Sequence, residues 1–317
     1  MKTTVLILGA KGMLGQSLVK VFLDDTLFEV VSWDKEDLDL TDEKSLWEKI
    51  TEAWPDIIIN ASAYNFVDLC QKNEEEYRKA VLINTRVPSI LAQIAQDLRA
   101  ILVHYSTDYV FDGKKPRYRG EGRAPGCCGS GCLGCSYFRK DGIFDGYREH
   151  DKPQPLSLYG KTKYDGEMEI EKKTDQYYII RLSKLFGKPA QSEYAKKSFF
   201  DIILEKGKSQ DVVEVIDDEK SCFTYAPDLA LATKELIQEE NAFGIYHLVN
   251  EGTVTWFEAV QYLFEHVGLS TKVVPVTASF FTRDAQRPSQ STLLNTKVKP
   301  LRSWKEALNV HLNEDIS

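Results

Sequence analysis

The chain has 317 residues, 43% of them hydrophobic and 28% charged, with a formal net charge of −8. That length can bury one large core or two modest ones, and an acidic balance without a basic stripe argues against nucleic acid as a partner. No apolar run reaches the roughly 18 residues of a membrane span, and the first apolar stretch, Val5 to Leu8, is short and runs into glycines, so a cytoplasmic protein without a signal peptide or membrane partner is expected.

Residues 4 to 8 (Thr-Val-Leu-Ile-Leu) are a continuous apolar run of the kind a fully buried parallel strand requires. Gly9-Ala10-Lys11-Gly12-Met13-Leu14-Gly15 follows at once, and then a helical pattern through Val19, Phe22 and Leu23. In such a strand, turn and helix, the first glycine permits the bend, the second lets backbone N–H groups approach a pyrophosphate, and the third lets helix pack on strand. A dinucleotide is therefore the expected ligand of Gly9, Gly12 and Gly15, together with the turn residues Lys11, Met13 and Leu14. A second strand, Phe28 to Trp33, ends at Asp34, whose carboxylate belongs where the adenosine ribose hydroxyls arrive. That position favours NADH. Lys11 and Lys35 are close enough in sequence to balance a 2′-phosphate, so NADPH stays open. Asp39-Leu40, a helix from Asp42 and a third strand, Asp56 to Ile59, continue the alternation. Asn60-Ala61-Ser62-Ala63-Tyr64 leaves that strand at its carboxyl end, and its small side chains let the chain pass close to the cofactor.

A helix around Glu74 to Gln96, containing Asn84, is expected next, and then a strand from Ala100 to Tyr105 that opens into Ser106-Thr-Asp-Tyr-Val-Phe-Asp-Gly113. A hydroxyl at the end of that strand can bond a substrate carbonyl, which makes Thr107 a candidate. Further on, Tyr159 and Lys163 stand four apart in Tyr-Gly-Lys-Thr-Lys and project from one face of a helix. An ammonium near a phenol favours the phenolate and lowers a pKa that is otherwise about 10, so Tyr159 reads as a general acid tuned by Lys163.

The three-and-three glycine spacing resembles that of the short-chain dehydrogenase/reductase superfamily, in its extended, sugar-nucleotide branch. Taken with Asn60-Ala-Ser-Ala-Tyr64, the run Ser106 to Gly113, Pro155-Leu-Ser-Leu-Tyr159-Gly-Lys-Thr-Lys163, Thr224-Tyr-Ala-Pro-Asp-Leu-Ala230 and Arg287-Pro288, the chain is similar to the dTDP-4-dehydrorhamnose reductase family. The similarity covers nearly all of it except residues 117 to 146. What the resemblance implies is reduction of a 4-keto group on a nucleotide-linked 6-deoxysugar by NADPH or NADH. Thr107, Tyr159 and Lys163 would be the catalytic set, with Lys163 also on the nicotinamide ribose, and Asp108, Tyr109 and Phe111 would line the sugar site. Two departures stand out. Members often read Arg-Thr-Ser-Trp where this chain reads Arg181-Leu-Ser-Lys184, so the cation Lys184 stands in place of an aromatic wall of the sugar pocket. Before Thr224, Gly-Ser-Pro or Gly-Ala-Pro is replaced by Ser221-Cys-Phe223.

The expected fold is α/β, a doubly wound, Rossmann-like parallel sheet with a smaller C-terminal substrate domain. Residues 1–188 would form the dinucleotide-binding domain and 189–317 mainly the substrate domain, returning segments from about 224–250 to the sheet. Gly244 to Val249 reads as a returned strand and Trp256 to His266 as a helix. Arg287, before a proline in a polar loop, is suited to bidentate binding of a substrate phosphate. The competing functions are a sugar-nucleotide epimerase or dehydratase, which shares the glycine turn and the Tyr/Lys pair, and a non-catalytic NADP-binding regulatory subunit. A homodimer is left open.

The stretch from Lys114 to Gly146 carries Cys127-Cys128-Gly-Ser-Gly-Cys132-Leu-Gly-Cys135, four of the chain's six cysteines within nine positions. In a cytosolic protein such clusters bind metal more often than they pair, and four thiolates suffice for one closed tetrahedral zinc site; an iron–sulfur cluster, a disulfide or no ligand are the alternatives. Cys70 and Cys222 stand alone and read as core thiols, and His247 and His266 as structural.

Overall fold

The computed structural model describes residues 2–114, 117–119, 143–191 and 197–314. Its centre is a sheet of six strands: β1 (Thr3–Leu8), β2 (Phe28–Trp33), β3 (Ile57–Asn60), β4 (Ile101–Thr107), β5 (Tyr177–Leu182) and β6 (Gly244–His247). They lie in the order β6-β5-β4-β3-β1-β2, and every pairing is parallel. A parallel sheet buries both faces of its inner strands, which is why β1 over Val5–Leu8 and β3 over Ile57–Ile59 are runs of Val, Ile and Leu rather than alternating sequences. In β1, Val5 and Ile7 join one cluster and Leu6 and Leu8 the other. The first cluster is closed by α1 (Met13–Leu23), through Leu14, Leu18 and Phe22, and by the helix Ala226–Gln238, through Leu229 and Leu236. The second is closed by α2 (Glu43–Ala53), through Leu46 and Ile50, and by α3 (Val87–Leu98), through Ile90, Leu91 and Ile94. The layers are therefore helix, sheet and helix.

β4 runs two residues beyond Tyr105, because Ser106 and Thr107 pair with Arg181 and Leu182 of β5. The helix expected over Glu74 to Gln96 is a helical run in three parts: Glu74–Val81, a π-helical turn Leu82–Arg86, and α3. The wide turn points Asn84 at two neighbours. Its Oδ1 accepts from the Tyr64 N–H at 2.9 Å, and its Nδ2 donates to the Tyr64 carbonyl and to Thr162 Oγ1, each at 3.1 Å. Such turns are often found beside functional sites.

The sequence Tyr159-Gly-Lys-Thr-Lys163 lies in α4 (Leu158–Lys173), capped by Ser157, whose Oγ accepts from the Gly160 N–H at 3.1 Å. Behind it Glu167 and Arg181 form a buried fork, Nε to Oε1 at 3.0 Å and Nη2 to Oε2 at 2.6 Å, with both side chains 1% exposed. Beyond β5 a separate aromatic cluster gathers Phe186, Phe200, Phe223, Tyr225, Leu263 and Trp304. It draws on residues before and after β6, so this lobe is entered and left more than once. Arg117–Arg119 and Ile143–Asp145, which flank the cysteine-rich stretch, pair antiparallel.

Candidate active site

A cavity of about 960 Å³ runs along the carboxyl ends of β1, β3 and β4. The strand order reverses between β1 and β3, and the crevice outside such a reversal is where open α/β sheets bind ligands. Gly9, Gly12, Met13 and Leu14 line one end, where the amino end of α1 presents its unbonded N–H groups. Gly9 sits at φ 77°, in the left-handed region that favours glycine. Gly15 faces the turn rather than the cavity: a Cβ there would lie 2.0 Å from the Gly9 carbonyl oxygen, so it is the packing glycine.

Asp34, Asp39 and Leu40 line the same end. The Asp34 carboxylate accepts from the backbone N–H of Lys11 at 2.7 Å and of Lys35 at 2.8 Å, bracing the glycine turn from the neighbouring strand. The Lys11 ammonium lies 3.1 Å from Glu36, and this partner raises its pKa. Ala61, Ser62, Ala63 and Tyr64 complete the wall.

At the other end stand Thr107, Asp108, Tyr109, Tyr159, Lys163 and Lys184. Thr107 Oγ1 donates to Asp108 Oδ1 at 3.1 Å and accepts from the Tyr109 N–H at 3.2 Å. Asp108 Oδ2 accepts from Ser183 Oγ at 2.8 Å and Ser291 Oγ at 2.6 Å. Burial pushes the Asp108 carboxyl up, against the pull of those hydroxyls. Burial likewise pushes the Tyr159 phenol up, and the Thr107 hydroxyl is the group that draws it back.

The Lys163 ammonium does not act on that phenol as the spacing suggested. Its Nζ donates to the Tyr105 carbonyl at 2.6 Å and sits 3.4 Å from His104 Nε2, and burial lowers its pKa to about 8. Helical spacing sets a common face, but the carbonyl at the edge of β4 captures the charge.

Lys184 adopts φ 39°. Its buried Nζ meets no hydrogen-bond acceptor and lies 3.7 Å from the centroid of Trp256, at the first turn of the helix Trp256–Val267. Burial lowers it to about 8. Trp256, another lining residue, thus brings an aromatic ring to the side of position 184, with the cation seated on its face. Thr255 and Glu258 form a capping box at the start of that helix, but nothing local in the sequence says that Trp256 turns into the cavity. Asn65, Lys197 and Ser198 also line it and went unrecognised for the same reason.

Two candidates are placed elsewhere. Phe111 is fully buried, stacked on Tyr147 at 4.1 Å, because the 3₁₀ turn Asp108–Val110 turns it inward. Arg287 borders a neighbouring cavity and grips Asp68, Nη1 to Oδ1 and Nη2 to Oδ2 at 2.5 Å each, holding that carboxyl at about 2. A guanidinium so engaged is not a free phosphate clamp. Cys127, Cys128, Cys132 and Cys135 lie outside the described residues. Among the described residues no cluster of His, Cys, Asp and Glu could hold a metal, and Cys70 and Cys222 are buried and free. Nor is any described helix long and apolar enough to cross a membrane.

Known proteins resemble this chain over nearly all of its length. It is 31% identical to the spore coat polysaccharide biosynthesis protein SpsK of Bacillus subtilis, covering 98% of each chain. It is 32% identical to the dTDP-4-dehydrorhamnose reductase of Aggregatibacter actinomycetemcomitans, covering 96% of each. Among solved structures, dTDP-4-dehydrorhamnose reductase from Bacillus anthracis, in complex with NADP, superposes with a TM-score of 0.83 at 30% identity, covering 99% of this chain and 100% of that one. The family model described as RmlD substrate binding domain matches residues 1–128 and 135–316, and the chain therefore belongs to that family.

Proposed function

We propose that the protein is an NAD(P)H-dependent reductase of a nucleotide-linked 4-keto-6-deoxysugar, with dTDP-4-dehydrorhamnose as the first substrate to test. One observation carries the reading: the glycine turn and the Thr107, Tyr159 and Lys163 side chains line opposite ends of a single cavity. The turn fits a pyrophosphate, since Gly15 lets the amino end of α1 close on Gly9. NAD(P)H, when bound, supplies the hydride.

The residues of this chain supply orientation and a proton. Tyr159 donates its phenolic proton to the oxygen of the carbonyl being reduced. Thr107, whose own proton is directed to Asp108, keeps a lone pair for the hydroxyl beside it and fixes where that oxygen sits. Lys163 is held against the sheet by the Tyr105 carbonyl and is placed to donate to the ribose. Consumption of NADPH with dTDP-4-dehydrorhamnose is the expected result. Cofactor binding without turnover on any keto-sugar would instead identify a regulatory subunit.

Lys184 is proposed to meet the sugar nucleotide, because the residue lines the cavity and its buried Nζ lacks a hydrogen-bond acceptor. Lys184→Met keeps an unbranched side chain as far as Cε and removes the ammonium. A hydrogen bond to a charged group contributes about 1.5–3 kcal/mol, so KM should rise by at least roughly tenfold with kcat little changed. A KM equal to that of the parent across a panel of sugar nucleotides would remove Lys184 from recognition.

A further inference from the structure

Behind the Tyr/Lys pair lies a row of buried polar side chains that the proton transfer does not use. Asn60 ends β3, and His104 is its partner in register on β4. Asn60 is 0% exposed, His104 1% and Lys163 2%. Asn60 Oδ1 accepts twice from Ser62, from the backbone N–H at 3.1 Å and from Oγ at 2.6 Å. A backbone N–H can only donate, so the oxygen of the Asn60 amide must face Ser62 and the nitrogen must face His104. That nitrogen lies 3.1 Å from His104 Nδ1.

An amide NH₂ is also only a donor, so His104 Nδ1 must accept and carries no proton. Burial, the larger cause, holds the His104 pKa well below its ordinary value, so the ring is neutral whether or not Lys163 is charged. A neutral ring with a bare Nδ1 carries its single proton on Nε2. That N–H faces Lys163 Nζ at 3.4 Å. An ammonium there opposes a donor to a donor, whereas a neutral amine accepts from His104, donates to the Tyr105 carbonyl at 2.6 Å and keeps one N–H for a ligand.

We infer that Asn60 and His104 form a tautomer lock, in which Asn60 fixes His104 as the Nε2–H form and His104 in turn favours the neutral amine of Lys163. His104 is thus a positioning residue that sets the charge of Lys163. The other ionisable groups near Lys163 are Tyr159 and Glu167, one turn away on either side of it in α4, and Glu167 is already bound by Arg181 of β5. Burial lowers Lys163, and the Glu167 charge opposes that shift. The lock adds to the lowering, and it does so by direction rather than by charge. The sign follows: Lys163 loses its proton as pH rises through a value below that of a free lysine, and removing the lock moves that value up.

Nitrogen-15 NMR of the cofactor-free protein, with His104 assigned by substitution, reads the tautomer directly and needs no substrate. An unprotonated Nδ1 with a protonated Nε2 is expected, and the reverse tautomer overturns the lock. The second measurement is the titration of Lys163 in the parent protein and in His104→Phe, which keeps a planar ring and removes the N–H. The inflection should move up by roughly one pH unit, a tenfold change in proton affinity. An unchanged inflection overturns the effect on Lys163. The kinetic consequence rests on the reductase reading: the pH profile of kcat/KM should shift in the same direction by the same amount. Failure of turnover on every keto-sugar would leave the tautomer and the titration to stand on their own, so the two ideas fail separately.

Discussion

Tyr159→Phe is expected to lower kcat by roughly 10²–10⁴-fold while leaving the affinity for NADPH unchanged. The substitution removes one hydroxyl and keeps the ring, so the edge-to-face contact with Tyr109, at 5.8 Å between centroids, survives. The hydrogen bond to Asn65 Oδ1, at 3.5 Å, is too long to contribute much stability, and the Thr107 hydroxyl keeps its bonds to Asp108 and to the Tyr109 N–H. Because burial pushes the phenol up, it stays protonated through the neutral range and acts as a donor to a developing alkoxide rather than as a base. Single-turnover kinetics at saturating NADPH measure the loss, and a melting curve separates it from unfolding. A variant that turns over as fast as its parent would take Tyr159 out of the mechanism.

The largest loss of stability is expected from Glu167→Ala. Glu167 and Arg181 are each 1% exposed and bonded in a fork. Truncating the acid leaves a guanidinium inside the protein with the Glu149 carbonyl at 3.2 Å and the face of Phe111 as its company. Removing one partner of such a pair costs about 3–5 kcal/mol, since the surviving charge is left uncompensated. For a chain of this size that is a fall of roughly 10 °C in Tm. The informative control is the double variant Glu167→Met with Arg181→Met, which fills the same space without charge and should lose less than the single change. If the double variant melts below the single one, the cost lies in lost packing and not in the orphaned cation.

The sequence carried the sheet well because a parallel strand buried on both faces is apolar along its buried run, as Val5–Leu8 and Ile57–Ile59 are. The glycine turn was legible because its spacing is dictated by contacts of under 4 Å within ten residues, such as that of Gly15 on Gly9. Local rules failed where a tertiary partner decides. Whether Asp108 or Phe111 faces the cavity depends on a single 3₁₀ turn, and the direction of the Lys163 ammonium depends on a carbonyl contributed by β4. Arg287 reads as a phosphate ligand from its local sequence because Asp68, its partner, lies 219 residues away. Trp256 lay furthest from view, since its place on the wall exists only once two separate lobes have met.

The π turn at Leu82–Arg86 holds one more residue than an α-helical turn would. An ordinary α-helix advances about 100° per residue, so the extra residue is a phase step between Glu74–Val81 and α3. On one side of the step Ala80 is buried against Cys70 and Tyr159, and on the other Val87, Ile90 and Ile94 are buried against the sheet. Both apolar stripes face inward only because the step is there. A copy of this gene shortened by one codon between Leu82 and Arg86 would keep its helix but swing one stripe a quarter-turn out of alignment with the other. The segment is therefore fixed in its count as well as at Asn84.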